Sequence, residues 1–200
     1  MHNGGDGIMH IPGISDDLFI RGNVPMTKEE IRILTLCKAS IRSDSIVLDI
    51  GAGTGSLSVE AALMAEKGHV YAIERKPEAA ALIRKNAAKF NVEARLSVIE
   101  GTAPDAMNKI DNYDVVLIGG SGGNISEILD VITAHINPGG RIVANAITVQ
   151  NTAAILDYMK QNDMYEYESI LIQASRLGKA GAYDMMIGMN PVYIITCRVK

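Results

Sequence analysis

The stretch from Ile46 to Met64 constrains the fold more than any other part of the chain. Three apolar strand formers, Ile46-Val47-Leu48, run into Asp49-Ile50-Gly51-Ala52-Gly53-Thr54-Gly55, and a helix-like segment, Leu57 to Met64, follows. A buried strand, a glycine-rich turn and a helix N-terminus in that order let backbone approach a ligand closely and aim helix-end amides at polar or anionic groups. The spacing Asp49-x-Gly51-x-Gly53-x-Gly55 departs from the dinucleotide fingerprint G-x-G-x-x-G, whose third glycine would fall on Ser56. By itself the segment also fits a plain strand-to-helix turn.

The alternation continues. His69 to Ile73 reads as a second strand ending in Glu74, and Pro77 opens a helix to about Phe90. Strands are expected at Arg95–Ile99, Tyr113–Ile118 and Ile142–Ala146, with helices near Pro104–Lys109, Asn124–Ile136 and Val149–Gln161. Asn124 is the expected N-cap of the second of these helices, and Asn137-Pro138-Gly139-Gly140 a turn. Upstream, Thr27-Lys28-Glu29-Glu30 is a capping box that predicts a helix from Thr27 to about Ala39, with Ile31, Leu34 and Cys37 on its apolar side. Strands alternating with helices predict an α/β fold with a doubly wound, mostly parallel sheet. Tyr165–Gln173 and Val192–Arg198 are strand-like with no helix between them, so seven strands are expected, the last antiparallel. Residues 1–26 read as a flexible N-terminal leader and substrate-side segment, and 27–200 as one domain. The Gly-rich stretch Met1 to Met9 is expected to be flexible and partly foreign to the native chain; His2 and His10 are given no role.

Composition narrows the function classes. With 48% apolar and 21% charged residues the chain is globular, and its apolar runs are too short to span a membrane. Nothing directs export, so a cytoplasmic protein is expected. A net charge of −4, few aromatics and no Trp disfavour nucleic acid as a partner. Cys37 and Cys197 form no C-x-x-C and read as small core residues, so neither a disulfide nor a metal site is expected.

Glu74, at the end of the second strand, can accept hydrogen bonds from both hydroxyls of an adenosine ribose, although dinucleotide enzymes do the same. With the glycine spacing and the antiparallel C-terminal strands, the chain resembles the class I S-adenosylmethionine-dependent methyltransferases. The resemblance implies that Asp49, Gly51, Gly53, Thr54 and Gly55 face the methionine end, that Glu74 holds the ribose, and that Gly101-Thr102-Ala103 borders the adenine.

A narrower resemblance covers nearly the whole chain. Pro12-Gly13-Ile14, Asp16-Asp17-Leu18-Phe19, Val24-Pro25-Met26-Thr27-Lys28-Glu29-Glu30, Glu100-Gly101-Thr102-Ala103-Pro104 and above all Gly119-Gly120-Ser121-Gly122-Gly123 resemble the CbiT-type decarboxylating precorrin methyltransferases of cobalamin biosynthesis. That likeness implies methylation of carbon 15 of a precorrin or cobalt-precorrin with loss of carbon dioxide from the carbon-12 acetate. It implies cofactor contacts from Thr27 and Thr102, Ser121 facing the macrocycle, and, by analogy, a homotetramer. Asn190-Pro191-Val192-Tyr193 imitates the tetrapeptide of amino-nitrogen methyltransferases, but it sits where a strand-opening proline belongs.

A tetrapyrrole polycarboxylate bound to an acidic protein needs local cations, and Arg176 and Lys179, between the sixth and seventh strands, are the candidates, with Arg21 a weaker one. A solvated loop whose charges serve solubility fits them as well. Met185, Met186 and Met189 could supply an apolar wall or plain packing. No residue is singled out for decarboxylation, and the sequence leaves open whether the substrate carries cobalt. Two other readings remain: another class I methyltransferase acting on RNA or a protein carboxylate, and a non-catalytic adenosylmethionine-binding module. Methylation of bulk tRNA would favour the first, and tight cofactor binding without turnover the second.

Overall fold

The computed structural model describes residues 10–200, so the leader expected at Met1 to Met9, with His2, lies outside the described residues. The predicted alternation is present. The strands are β1 (Ile46–Ile50), β2 (His69–Glu74), β3 (Leu96–Glu100), β4 (Tyr113–Ile118), β5 (Ile136–Ala146), β6 (Tyr165–Ile172), β7 (Ser175–Ala180), β8 (Tyr183–Gly188) and β9 (Val192–Val199). The α-helices are α1 (Glu29–Ala39), α2 (Ser56–Met64), α3 (Pro77–Lys89), α4 (Ile125–His135) and α5 (Val149–Lys160).

Seven strands form one sheet in the order β3-β2-β1-β4-β5-β9-β6, in which β9 runs antiparallel to both β5 and β6. Strand residues alternate between two cores, as a period of two requires. Leu48, Val116 and Ile118 pack toward α4 and α5, whereas Val47, Val115 and Leu117 pack toward α1, α2 and α3. The strand order turns back between β1 and β4, and such a switch point opens a crevice at the carboxyl ends of the strands.

Several expectations change. First, α1 begins at Glu29 and Thr27 does not cap it; the Thr27 carbonyl accepts instead from Arg32 Nη1 at 2.7 Å. The helix buries Ile31, Arg32, Thr35, Leu36 and Ala39 rather than a Leu34–Cys37 side, and Cys37 is exposed whereas Cys197 is buried. The cause is Arg32, which is fully buried and bonds to Glu60 Oε1 (2.5 Å), Asp16 Oδ1 (3.1 Å) and the Ile14 carbonyl. Second, residues 10–26 are packed against the body of the domain. Glu60 accepts from the Gly13 and Ile14 amides, Phe19 is 3% exposed and stacks under Arg32, and the Ile20 amide donates to Asn86. Third, the connection between β6 and β9 is no loop: β7 and β8 pair antiparallel as a separate two-stranded ribbon. The helix expected near Pro104 is a 3-10 turn, Asp105–Lys109.

Candidate functional site

The glycine loop continues the sheet past its strand ends. Gly51 donates its amide to the Ile73 carbonyl (3.0 Å), Gly101 to the Glu74 carbonyl (3.1 Å) and Gly119 to the Ile50 carbonyl (2.9 Å), so the loops after β1, β3 and β4 are pinned side by side. Gly51 has φ +71, and a Cβ there would lie 2.6 Å from the Gly120 carbonyl oxygen; one on Gly53, at φ +59, would lie 2.9 Å from the Pro25 carbonyl oxygen. Only glycine permits these approaches without strain. Glu74 is largely buried, and its carboxylate is held by two backbone donors, Gly53 N–H to Oε2 and Lys76 N–H to Oε1, each at 3.0 Å.

These loops wall a pocket of about 700 Å³. Of the residues expected at the cofactor, Thr27, Asp49, Gly51, Gly53, Glu74 and the Gly101-Thr102-Ala103 turn line it, and so does Ser121. Thr54 and Gly55 do not. They support the loop from beneath, the Thr54 carbonyl accepting from Asn86 Nδ2 at 2.9 Å and Gly55, at φ +78, packing on Ile83. Asp49 is fully buried; one carboxylate oxygen accepts from Ser58 Oγ and the other has no partner. Burial pushes its carboxyl up to about 6, against the pull of the Ser58 hydroxyl and with help from the nearby Glu74 charge.

Arg176 and Lys179 are not in the pocket lining. Arg176 reaches back across the fold to Glu30 (Nε–Oε1 2.8 Å, Nη2–Oε2 2.6 Å) and to Asp16 Oδ2 (3.2 Å), and Lys179 pairs with Asp184 on the other strand of the ribbon. Their carboxylates come from the chain itself. The cations that line the pocket are Lys28, Arg75 and Lys76, none of which enters an ion pair among the described residues. Sequence reasoning passed over them, although Arg75 and Lys76 directly follow Glu74 at a strand end that borders the pocket. It also passed over Asn145, at the end of β5, and gave no site role to Asn190, just ahead of β9; both line the pocket. Met189 lines it too, whereas Met185 and Met186 are exposed on β8 and Arg21 is exposed outside it. Among the described residues no group of three or more His, Cys, Asp or Glu is arranged to hold a metal ion, and no helix is long and apolar enough to cross a membrane.

Known proteins resemble the chain in sequence and in fold. A family described as precorrin methyltransferase domain matches residues 17–197. The chain is 43% identical over 190 residues to a probable cobalt-precorrin-6B C(15)-methyltransferase (decarboxylating) of Sulfolobus acidocaldarius, covering 94% of this chain and 97% of that protein. It is 38% identical over 186 residues to the cobalt-precorrin-6B C(15)-methyltransferase (decarboxylating) of Salmonella typhimurium, covering 92% and 95%. The crystal structure of a precorrin-6y C5,15-methyltransferase from Geobacter metallireducens superposes with a TM-score of 0.87 at 33% identity, over 94% of this chain and 99% of that one.

Proposed function

The chain belongs to the precorrin methyltransferase family, and from that footing we propose that it transfers the methyl group of S-adenosylmethionine to carbon 15 of a cobalt-precorrin and removes carbon dioxide from the carbon-12 acetate, a step of cobalamin biosynthesis. The observation that carries this reading is the end-to-end match to relatives named for decarboxylating carbon-15 methyl transfer.

The pocket residues fit an adenosyl donor. Glu74, oriented by two backbone amides, keeps lone pairs free for ribose hydroxyls. The close-approach glycines Gly51 and Gly53 leave room for the ligand where a Cβ would displace backbone. The unpartnered Asp49 oxygen is an acceptor for an α-ammonium. Gly101, Thr102 and Ala103 border the adenine, Thr27 lines the same pocket, and Thr54 and Gly55 support the loop.

Bound there, the sulfonium supplies an electrophilic methyl. The chain's own work is to hold carbon 15 in line with it and keep water out. The new carbon–carbon bond takes its electron pair from the macrocycle, and carbon 15 loses its proton. The bond to the departing carboxylate leaves its pair on the macrocycle as carbon dioxide forms, and the acetate methylene gains a proton. Proton loss and gain cancel, which suits a pocket lined, among the described residues, by neither His nor Cys. Lys28, Arg75 and Lys76, which line the pocket, supply cations for the remaining carboxylates of the tetrapyrrole.

The β7–β8 ribbon supports a homo-oligomer. Leu177, Tyr183, Met185, Met186 and Ile187 stand exposed on it, and a two-stranded ribbon with such a surface is marginal in water. A homotetramer in the cytoplasm completes the reading. The reaction is tested with a carbon-13 methyl donor and cobalt-precorrin-6B: the label should appear at carbon 15 in the product's NMR spectrum, and label on another macrocycle carbon, or on RNA alone, would reassign the activity.

A further inference from the structure

The pocket has two chemically different sides. Its charged lining residues, Lys28, Asp49, Glu74, Arg75 and Lys76, all precede β3 in the chain. Arg75 reaches as far as the loop after β4, where a Cβ on Gly122 would lie 3.7 Å from its Nη1. Past that loop the lining is Asn145, Ile147, Ala174, Met189, Asn190 and Val192, and none of these is charged.

Strand pairing makes these residues neighbours. β5 lies between β4 and β9, Ala146 on β5 pairs with Tyr193 on β9, and Val192 pairs with Ile172 on β6, so Ile147 leaves the sheet beside Val192. The Met189 amide donates to the Ala174 carbonyl at 2.9 Å, which joins the segments that leave β6 and enter β9.

Ile147 is fixed from both ends, since β5 closes at Ala146 and Thr148 caps α5 by accepting from the Asn151 amide at 3.3 Å. It is nevertheless 68% exposed. Exposure alone is ordinary for a single apolar residue, and Val149 is 70% exposed outside the lining. Ile147 differs because it lines the pocket together with the half-buried Ala174, Met189 and Val192.

We propose that Ile147, Met189 and Val192 seat the apolar face of a tetrapyrrole macrocycle. This placement rests on the methyltransferase reading above and adds the side of the pocket on which the substrate lies and the way it is turned. A tetrapyrrole has an apolar face and a rim of carboxylates. Taking the face and the exposed Ile147 side chain out of water is favourable, whereas a carboxylate set against uncharged side chains loses its hydration without a cation in return. The face therefore goes to the β5–β9 side, and the rim turns toward Arg75, Lys76 and solvent.

The test uses the full chain as Ile147→Gln, a neutral replacement that adds no charge to repel the rim, as Ile147→Leu, and as Val149→Gln. Cobalt-precorrin-6B is titrated by absorbance into protein saturated with S-adenosylhomocysteine, which cannot donate a methyl. Calorimetry reads S-adenosylhomocysteine itself, and light scattering reads the oligomeric state. Ile147→Gln should bind the macrocycle about five- to thirtyfold more weakly and Ile147→Leu within about twofold of wild type, with S-adenosylhomocysteine affinity unchanged in both. High salt should leave the Ile147→Gln defect in place while that of Arg75→Ala fades, because screening acts on charges and not on apolar contact. Val149→Gln should match wild type. An Ile147→Gln chain with wild-type macrocycle affinity, with an altered oligomeric state, or with no larger defect than Val149→Gln would overturn the seat while leaving the reaction assigned above intact. A wild-type chain that binds cobalt-precorrin-6B without converting it would remove that reaction instead, and the titration would still decide the seat. A wild-type chain that does not bind it would remove both.

Discussion

Gly53 donates its backbone N–H to Glu74 Oε2 at 3.0 Å, so the carboxylate that ends β2 also fastens the glycine loop that follows β1. Replacing Glu74 therefore loosens the loop as well as removing an acceptor. Glu74→Ala should weaken S-adenosylhomocysteine binding by about 1.5–3 kcal/mol, the scale of a hydrogen bond to a charged group. Glu74→Gln, which keeps one carbonyl oxygen for Gly53, should lose less. Titration calorimetry reads both, and an alanine variant with wild-type affinity would remove Glu74 from the site.

The loop glycines divide by what surrounds them. A Cβ on Gly51 would meet the Gly120 carbonyl oxygen at 2.6 Å, at a φ of +71, whereas a Cβ on Gly120 would meet nothing within 4 Å. Gly51→Ala should cost about 1–3 kcal/mol or more in urea unfolding and weaken cofactor binding. Gly120→Ala should stay within about 0.5 kcal/mol of wild type in stability. Equal midpoints for the two variants would contradict the close approach.

Asp49 carries a raised carboxyl, from an ordinary 3.8 to about 6, chiefly through burial. The folded state thus holds this proton more tightly than the unfolded chain. Its contribution favours the fold at low pH, declines as pH rises between those values, and becomes a full cost above about 6. Asp49→Asn should accordingly stabilise the ligand-free protein above that window by on the order of 2–3 kcal/mol and lose the advantage in acid. The same variant should bind S-adenosylhomocysteine more weakly at neutral pH, because the anion proposed to meet the α-ammonium is gone. Urea unfolding on either side of the window, with calorimetry, separates the two effects.

Arg176 and Arg75 should part company. Arg176→Ala breaks the pair with Glu30, where the Arg176 side chain holds the carboxyl below its ordinary 4.5. That stabilisation is present above 4.5 and is lost as pH falls through the lowered value. Both side chains are about two-fifths exposed, so the loss at neutral pH should be under about 1 kcal/mol, without a salt-dependent change in KM. Arg75→Ala should instead raise the KM for cobalt-precorrin, by about 1 kcal/mol in kcat/KM at low ionic strength and less in high salt. Steady-state kinetics at two salt concentrations checks both. A salt-sensitive KM defect in the Arg176 variant would restore that residue as a substrate clamp.

Local features were the legible ones. Gly51, Gly53, Glu74 and the Gly101-Thr102-Ala103 turn follow from strand ends a few residues away, and all of them line the pocket. What escaped depends on distant partners. Arg176 looked free because the carboxylates that engage it, Asp16 and Glu30, lie 160 and 146 residues earlier. The buried Arg32 turned α1 away from the apolar side its sequence suggested, through a bond to Glu60 that no periodicity reveals. Asn145 looked like one more strand residue until Thr35, from the helix before the sheet, fixed its amide.

One site should couple methyl gain to loss of carbon dioxide. Mass spectrometry after a single turnover of cobalt-precorrin-6B with S-adenosylmethionine tests it most directly. The product should have gained one methyl and lost one carbon dioxide on the same macrocycle. A methylated macrocycle that keeps its full set of carboxylates, or substrate returned unchanged by protein that binds the cofactor, would contradict it.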